Sequence, residues 1–323
     1  MKTNTKKIVL IVILVFVSIA IPAFGAETEN ENAAPIVEDL ELTTFRGIAV
    51  EGNLLAVDPE GDLIDFQIIR APRKGEIVLN SQTGQFTYTP RDGQRGRDLF
   101  TFVAVDANGN ISSEATVRLR IQRQNTNVVY SDLEGHPVHF AAVLLAEEGL
   151  FVGQQLGERH LFMPEAAVTR GEFLAMAMRL GQAELLSGVR RTGFVDDYEI
   201  DDWLKAYVST AVLDGVITGR PGERGIYFSP HAYITQNEAA VILSNVLGFH
   251  DMPVSMMHTE SFHPAWAHQA IVNLSTQGII SFPYTDVNSQ TLNRAQVAQM
   301  LVAAMAVLEN SPSVSQSLLG WAA

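Results

Sequence analysis

The chain of 323 residues is 47% apolar and 18% charged, an ordinary balance for folded domains and enough length for two or three of them. It contains no cysteine, which excludes disulfides, thiolate metal sites and a cysteine nucleophile. A formal charge of −14 argues against a nucleic-acid partner, because phosphates call for clustered Lys and Arg.

At the N-terminus, Lys2, Lys6 and Lys7 precede an unbroken apolar run from Ile8 to Ala20, then the breaker Pro22 and the small residues of Ala23-Phe24-Gly25. This is the anatomy of a secretory signal peptide over residues 1–25. An uncleaved anchor competes with it, since the run is near the lower limit for spanning a bilayer. Pro22 and the small residues after it favour cleavage. Loss of this segment removes three lysines and no acid. Residues 26–33 read as a flexible acidic leader. The expected product is exported, and a membrane enters only through the signal segment.

From about residue 34 to 123 the pattern has period two. Short β-branched and aromatic runs, such as Ile77–Leu79, Gln85–Thr89, Leu99–Val103 and Ala115–Ile121, alternate with turn words. Those words are Asp58-Pro59-Glu60-Gly61-Asp62, Thr83-Gly84, Pro90-Arg91-Asp92-Gly93 and Asn108-Gly109-Asn110. About seven strands with turns every ten residues or so predict a β-sandwich with Greek-key connections. Asp58, Asp62, Asp98 and Asp106 offer hard oxygen ligands for calcium. Turn chemistry explains the same residues more simply and is preferred.

After a polar linker (124–129) the spacing becomes helical and repeats. Gly149, Gly215 and Gly278 each follow an apolar stretch, and Pro137, Trp203 and Trp266 lie twelve residues before them. Each stretch predicts an amphipathic helix with a glycine C-cap. Gly149-Leu150-Phe151-Val152-Gly153 matches Gly215-Val216-Ile217-Thr218-Gly219, 66 residues on. Phe162-Met163-Pro164 matches Phe228-Ser229-Pro230, and Thr169-Arg170-Gly171-Glu172 matches Thr235-Gln236-Asn237-Glu238 in the same register. The third copy is shorter and ends in Asn293-Arg294-Ala295-Gln296. Three repeats result, over 130–181, 194–248 and 261–310, before a short tail, 311–323. Thr169 with Glu172 and Thr235 with Glu238 form capping boxes opening a second helix, and Asn293 with Gln296 is a variant. Arg170 and Arg294 have no such explanation. A cation beside a positive helix end is unfavourable, which makes both better candidates for gripping a ligand carboxylate. Gln236 breaks the pattern, so that groove is either inactive or compensated by Arg220 or Arg224 on the preceding loop. Trp203 and Trp266 are expected to be buried against the first helix of each repeat, with stacking on sugar rings as the alternative. Gly153 and Gly219 either admit a ligand to the backbone or serve a turn with positive φ. The eight histidines are scattered without a zinc-type word, and no nucleophile-elbow or phosphate-loop word occurs.

Two resemblances follow. The first unit resembles bacterial cadherin-like and Ig-like domains, through its Asp-Pro-Glu-Gly-Asp word, Thr83–Pro90, Gly96–Phe100 and Asp106–Gly109. The repeated half resembles S-layer homology domains, through Asp132 and Asp196, the Trp, Gly-x-x-x-Gly, Phe-x-Pro and the Thr-Arg-x-Glu word. That resemblance implies an all-α, three-pronged bundle behind the sandwich, whose grooves bind cell-wall polysaccharide or peptidoglycan at the cell surface. Arg170, Arg294, Thr169, Glu172, Thr235, Glu238, Trp203, Trp266, Gly153 and Gly219 are the candidate groove residues. The implied protein is a non-catalytic envelope component without a cofactor, displaying the sandwich as spacer or adhesive module, with other envelope or S-layer proteins as further partners. The alternative is a calcium-dependent adhesin or glycan-binding module whose active part is the sandwich.

Overall fold

A computed structural model describes residues 32–157, 159–249, 264–280 and 290–310. The signal segment, most of the leader, the tail and His250, His258 and His263 lie outside the described residues. The chain divides into two compact units. The first ends at Asn127 and takes in Gly135–Phe140, and the second comprises Val128–Glu134 and the chain from Ala141 onward.

The described residues of the first unit hold nine strands: β1 (Ile36–Val37), β2 (Leu40–Phe45), β3 (Val50–Asn53), β4 (Ala56–Val57), β5 (Ile64–Arg70), β6 (Gly75–Leu79), β7 (Gln85–Pro90), β8 (Gly96–Asp106) and β9 (Ala115–Gln122). Seven of them form two sheets, β2-β9-β8-β5 and β3-β7-β6, while β1 pairs with β4. β2 runs parallel to β9, and the other pairs are antiparallel. Alternation does its work clearly in β9, where Ala115, Val117, Leu119 and Ile121 are buried and Arg118 and Arg120 are exposed. Phe100 and Phe102 of β8 bring the core together, Phe100 edge-on to Phe86 at 5.2 Å and Phe102 tilted against Phe66 at 6.2 Å. Tyr88 is fully buried and its hydroxyl donates to Asp98 at 2.9 Å. Gly75 admits that ring, since a Cβ there would stand 2.4 Å from it.

The second unit contains α1 (His139–Glu147), α2 (Arg170–Leu180), α3 (Asp202–Leu213), α4 (Gln236–Leu247), α5 (Ala265–Thr276) and α6 (Arg294–Asn310). α1, α3 and α5 are the first helices of the three repeats, each followed by a left-handed glycine, Gly149 (φ 67°), Gly215 (φ 72°) and Gly278 (φ 70°). α3 is amphipathic, but α1 is buried continuously from Ala141 to Ala146, so its face pattern departs from expectation. The all-α expectation also needs correction. Among the described residues two hairpins follow Gly149 and Gly215, β10 (Gln154–Leu156) with β11 (Arg159–Leu161) and β12 (Arg220–Gly222) with β13 (Gly225–Tyr227), in identical register. Three-residue strands are too short for period two to stand out against a helical background.

The loops before α2, α4 and α6 close on one another in a ring. Val168 N–H donates to Leu292 O at 3.0 Å, Leu292 N–H to Ile234 O at 2.9 Å, and Ile234 N–H to Val168 O at 2.9 Å. Bridges Thr169–Tyr233, Thr235–Thr291 and Asn293–Ala167 repeat the same relation, so the third repeat pairs back onto the first. Val168, Ile234 and Leu292 are buried at its centre. This quasi-threefold closure satisfies backbone groups that isolated loops would leave open.

Candidate functional site: the grooves between repeats

Ring closure sets the first residue of each second helix against the loop of another repeat. Arg170 N–H donates to Ala232 O at 2.8 Å, Gln236 N–H to Gln290 O at 3.3 Å, and Arg294 N–H to Ala166 O at 2.9 Å. The capping residues just behind are as the spacing predicts. Thr169 and Thr235 each accept from the N–H of the glutamate three residues on, whose carboxylate accepts from the cap's own N–H. Asn293 and Gln296 make the same reciprocal pair, at 3.0 and 2.9 Å.

Between the first and second repeats, Glu238 divides its labour. Its Oε2 accepts from Thr235, while its Oε1 receives Arg170 Nη1 at 3.3 Å, Arg220 Nε at 2.9 Å and Arg220 Nη2. The Arg170 and Glu238 side chains are only 8% and 12% exposed, and the Arg170 guanidinium lies 5.5 Å over the Phe228 ring. Burial pulls the Arg170 pKa down and the Glu238 charge opposes that, while Arg220 adds to the downward pull. The premise that Arg170 lacks an internal partner is therefore corrected. Glu238 compensates the helix end from the neighbouring repeat. Nor does Arg220 stand in for Gln236, because it converges with Arg170 on Glu238.

Between the third and first repeats, Arg294 Nη1 donates to Phe162 O at 3.0 Å and its guanidinium lies 5.2 Å over Phe151. A narrow apolar pocket lined by Leu145, Phe151, Phe162, Met176 and Val297 reaches both Arg294 and Glu172. Glu172 Oε2 is held by Thr169 N–H at 2.8 Å.

The other candidates sort by burial. Trp203 and Trp266 are 55% and 61% exposed, which overturns the expected burial against the first helices. Trp203 stands edge-on to Tyr207 at 6.3 Å and its Nε1 donates to Asp201 at 3.3 Å, leaving the ring available for stacking. Gly153 (φ 73°) and Gly219 (φ 78°) are explained by their own hairpins. A Cβ at Gly153 would meet Leu161 O at 2.4 Å, and one at Gly219 the Ile226 side chain at 2.5 Å. Asp132 and Asp196 were noted only as motif letters. Each carboxylate accepts two consecutive backbone N–H groups, Phe162 and Met163 at 3.0 and 2.7 Å, Phe228 and Ser229 at 2.9 and 2.7 Å. They thereby hold Met163 (φ 54°) and Ser229 (φ 58°) in the left-handed region beside the groove phenylalanines.

In the sandwich, Asp58, Asp62 and Asp106 serve the turns they begin or border. Asp58 Oδ1 accepts from Glu60 and Asp62 N–H at 3.0 Å each, and Asp106 Oδ1 from Asn108 and Asn110 N–H at 2.9 and 2.8 Å. Asp62 accepts from the Asn108 amide at 2.8 Å. Asp98 lies elsewhere, binding the N–H groups of Arg73 and Lys74 as well as Tyr88. Among the described residues no group of three or more His, Asp or Glu is gathered for a metal ion.

Comparison with known proteins bears on both units. The chain is 29% identical over 154 residues to the surface-layer 125 kDa protein of Lysinibacillus sphaericus, covering 44% of this chain and 13% of that one. It is also 29% identical over 135 residues to an amylopullulanase of Thermoanaerobacterium thermosulfurigenes, covering 40% and 7% respectively. The chain thus spans a small fraction of these relatives. Among solved structures, Drosophila N-cadherin EC1-3 matches 31% of this chain and 35% of its own at 15% identity, with a TM-score of 0.25. Residues 31–123 match the family model of the bacterial cadherin-like domain, so the first unit is a β-rich domain of cadherin-like type, followed by a helical part.

Proposed function

We propose that this is a non-catalytic protein of the bacterial cell envelope, held to the wall by its helical repeats and displaying the cadherin-like sandwich as a spacer or adhesive module. The repeats are read as S-layer homology units whose grooves take wall polysaccharide or peptidoglycan. The observation that carries this reading is the guanidinium pair Arg170 and Arg220, set at a capped helix start and converging on one carboxylate between two repeats. The match to a surface-layer protein supports it, since at 44% of the chain it extends beyond the cadherin-like segment. The exposed Trp203 and Trp266 rings suit the apolar faces of sugar rings.

The test is co-sedimentation of the mature protein with purified wall sacculi, with and without chemical removal of the wall polymer. Pelleting that depends on the polymer is expected. A protein that stays in the supernatant with intact sacculi would sink the reading.

A second reading makes the sandwich a calcium-dependent adhesin. Its one favourable observation is Asp58, 8% exposed with a buried Oδ2 that has no partner. Calorimetric titration with calcium decides it, since absence of both heat and a shift in melting would eliminate this version.

A further inference from the structure

We propose that one end of the cadherin-like sandwich is a docking surface for a linear polymer of phosphate groups other than a nucleic acid, gripped by facing arginines. This surface lies on the displayed unit and involves no groove of the helical repeats.

Residue order hides the arrangement. Residues 32–123 carry nine arginines and one lysine, and none of the ten falls within 32–45, 47–69 or 98–117. Strand register brings the remaining stretches together. Gly96, which opens β8, lies opposite Ile121 near the end of β9, and Arg46 N–H donates to Gln122 O at 3.0 Å. Arg70 is the last residue of β5. Arg91 N–H donates to Lys74 O at 2.9 Å, and Lys74 Nζ to Arg95 O at 2.8 Å. Four stretches distant in sequence thus deliver most of these cations to one end. Asp58, Asp62 and Asp106 lie at the other, where Ile64 pairs with Asp106.

The basic end is poorly compensated from within. Arg97 of β8 and Arg120 of β9 stand directly opposite each other, both exposed. Cross-strand neighbours of this kind are about 5 Å apart at Cβ, and like charges there are destabilising, so an anion between them relieves the fold. Among the described residues, Arg118 pairs with Asp39 and Arg91 with Glu76, while Arg46, Arg70, Arg95, Arg97 and Arg120 make no ion pair. Asp98, next to Arg97 in sequence, is engaged by the N–H groups of Arg73 and Lys74 and by the Tyr88 hydroxyl. Although the whole chain has a formal charge of −14, salt screens charges beyond roughly 8 Å, so a bound anion feels this end first.

The chemistry of the occupant follows by comparison. A second copy of the chain offers little, because Asp58 and Asp106 are buried in their own turns and Asp62 accepts from Asn108. Single-stranded nucleic acid is held by stacking bases on aromatic rings. Phe45, Phe66, Phe86, Tyr88, Phe100 and Phe102 are all the aromatic residues of 32–123, and every one is buried. Facing guanidiniums suit phosphate better than carboxylate. Tetrahedral oxygens accept forks from two sides, whereas a planar carboxylate presents both oxygens to one fork. A linear polymer then brings successive phosphates to the other arginines of the same end.

The experiment titrates the mature protein with end-labelled long-chain inorganic polyphosphate and reads fluorescence anisotropy at several salt concentrations. Saturable binding is expected, with log affinity falling linearly against log salt. Arg97→Gln combined with Arg120→Gln should weaken it at least tenfold and reduce the salt slope by about two, with melting unchanged or raised. Arginine-to-lysine changes at both positions should fall between. Arg190→Gln with Arg191→Gln removes the same charge from exposed positions of the second unit and should leave binding as it is. Absence of binding at low salt, equal losses in the two glutamine pairs, or polyglutamate bound as tightly as polyphosphate would each overturn the proposal. So would single-stranded DNA bound more tightly than polyphosphate, or polymer-free self-association that the Arg97→Gln and Arg120→Gln changes abolish.

Discussion

Replacing Asp196 with alanine tests how the groove is held open. Asp196 is 2% exposed, and its two oxygens accept Phe228 N–H at 2.9 Å and Ser229 N–H at 2.7 Å. Hydrogen bonds to a charged acceptor contribute about 1.5–3 kcal/mol each, and truncation also leaves two N–H groups short of an acceptor. Relief of the cost of burying the carboxylate works the other way. The expected net loss is therefore about 3–5 kcal/mol, with Ser229 free to leave its left-handed φ of 58°. The phenylalanine under Arg170 and the Pro230 carbonyl that accepts Gly171 N–H at 3.0 Å sit on the same loop, so the groove should loosen as well. Urea unfolding followed by tryptophan fluorescence isolates the effect, because Trp203, Trp266 and Trp321 all lie in the second half of the chain. Asp196→Asn should lose roughly half as much, since its carbonyl oxygen still accepts one N–H while its amide nitrogen, facing the other, cannot. A loss below about 1 kcal/mol for either would refute the two-bond clamp.

Three further outcomes follow from the same geometry. Arg170→Ala should destabilise the helical unit by about 1–3 kcal/mol, less than a broken buried pair usually costs, because Arg220 still holds Glu238. Urea midpoints check it, and unchanged stability would mean that the ion pair carries no net weight. Gly153→Ala and Gly219→Ala should each cost roughly 1–3 kcal/mol, since both positions combine positive φ with a neighbour less than a bond-contact away. Wild-type melting in either variant would dismiss the close approach as the reason for glycine. The sandwich should lose stability in acid through Asp98. Burial works to raise its pKa, but the N–H groups of Arg73 and Lys74 and the Tyr88 hydroxyl outweigh it, leaving the value below the ordinary 3.8. A depressed folded pKa adds stability that is complete above the unfolded value and is lost as pH falls through the folded one. Asp98→Asn should flatten the far-ultraviolet melting profile below about pH 4, and an unchanged profile would count against that carboxylate.

Local chemistry made much of this molecule legible from its residue order. Capping boxes at Thr169 and Thr235 join residues three apart, glycine stops at 149, 215 and 278 follow their own helices, and β9 alternates along its own length. Each depends on neighbours a few positions away, so spacing alone displayed it. The sheet order, with β2 parallel to β9, required the folded unit.

The functional face was decided almost wholly by long-range closure. Val168, Ile234 and Leu292 complete one ring of hydrogen bonds from three distant loops, and only that ring sets Arg170 against Glu238 and Arg220. Sequence reasoning treated the arginine at a helix start as unpaired because its own helix offers nothing but a positive dipole. The compensating carboxylate belongs to the next repeat. The tryptophans show the same limit from the other side. An indole two residues into a helix is compatible with core or surface, and the neighbours that would cover it are chosen by packing. Residue order thus wrote the repeated unit, and the closure of the three copies decided which of their side chains share a groove.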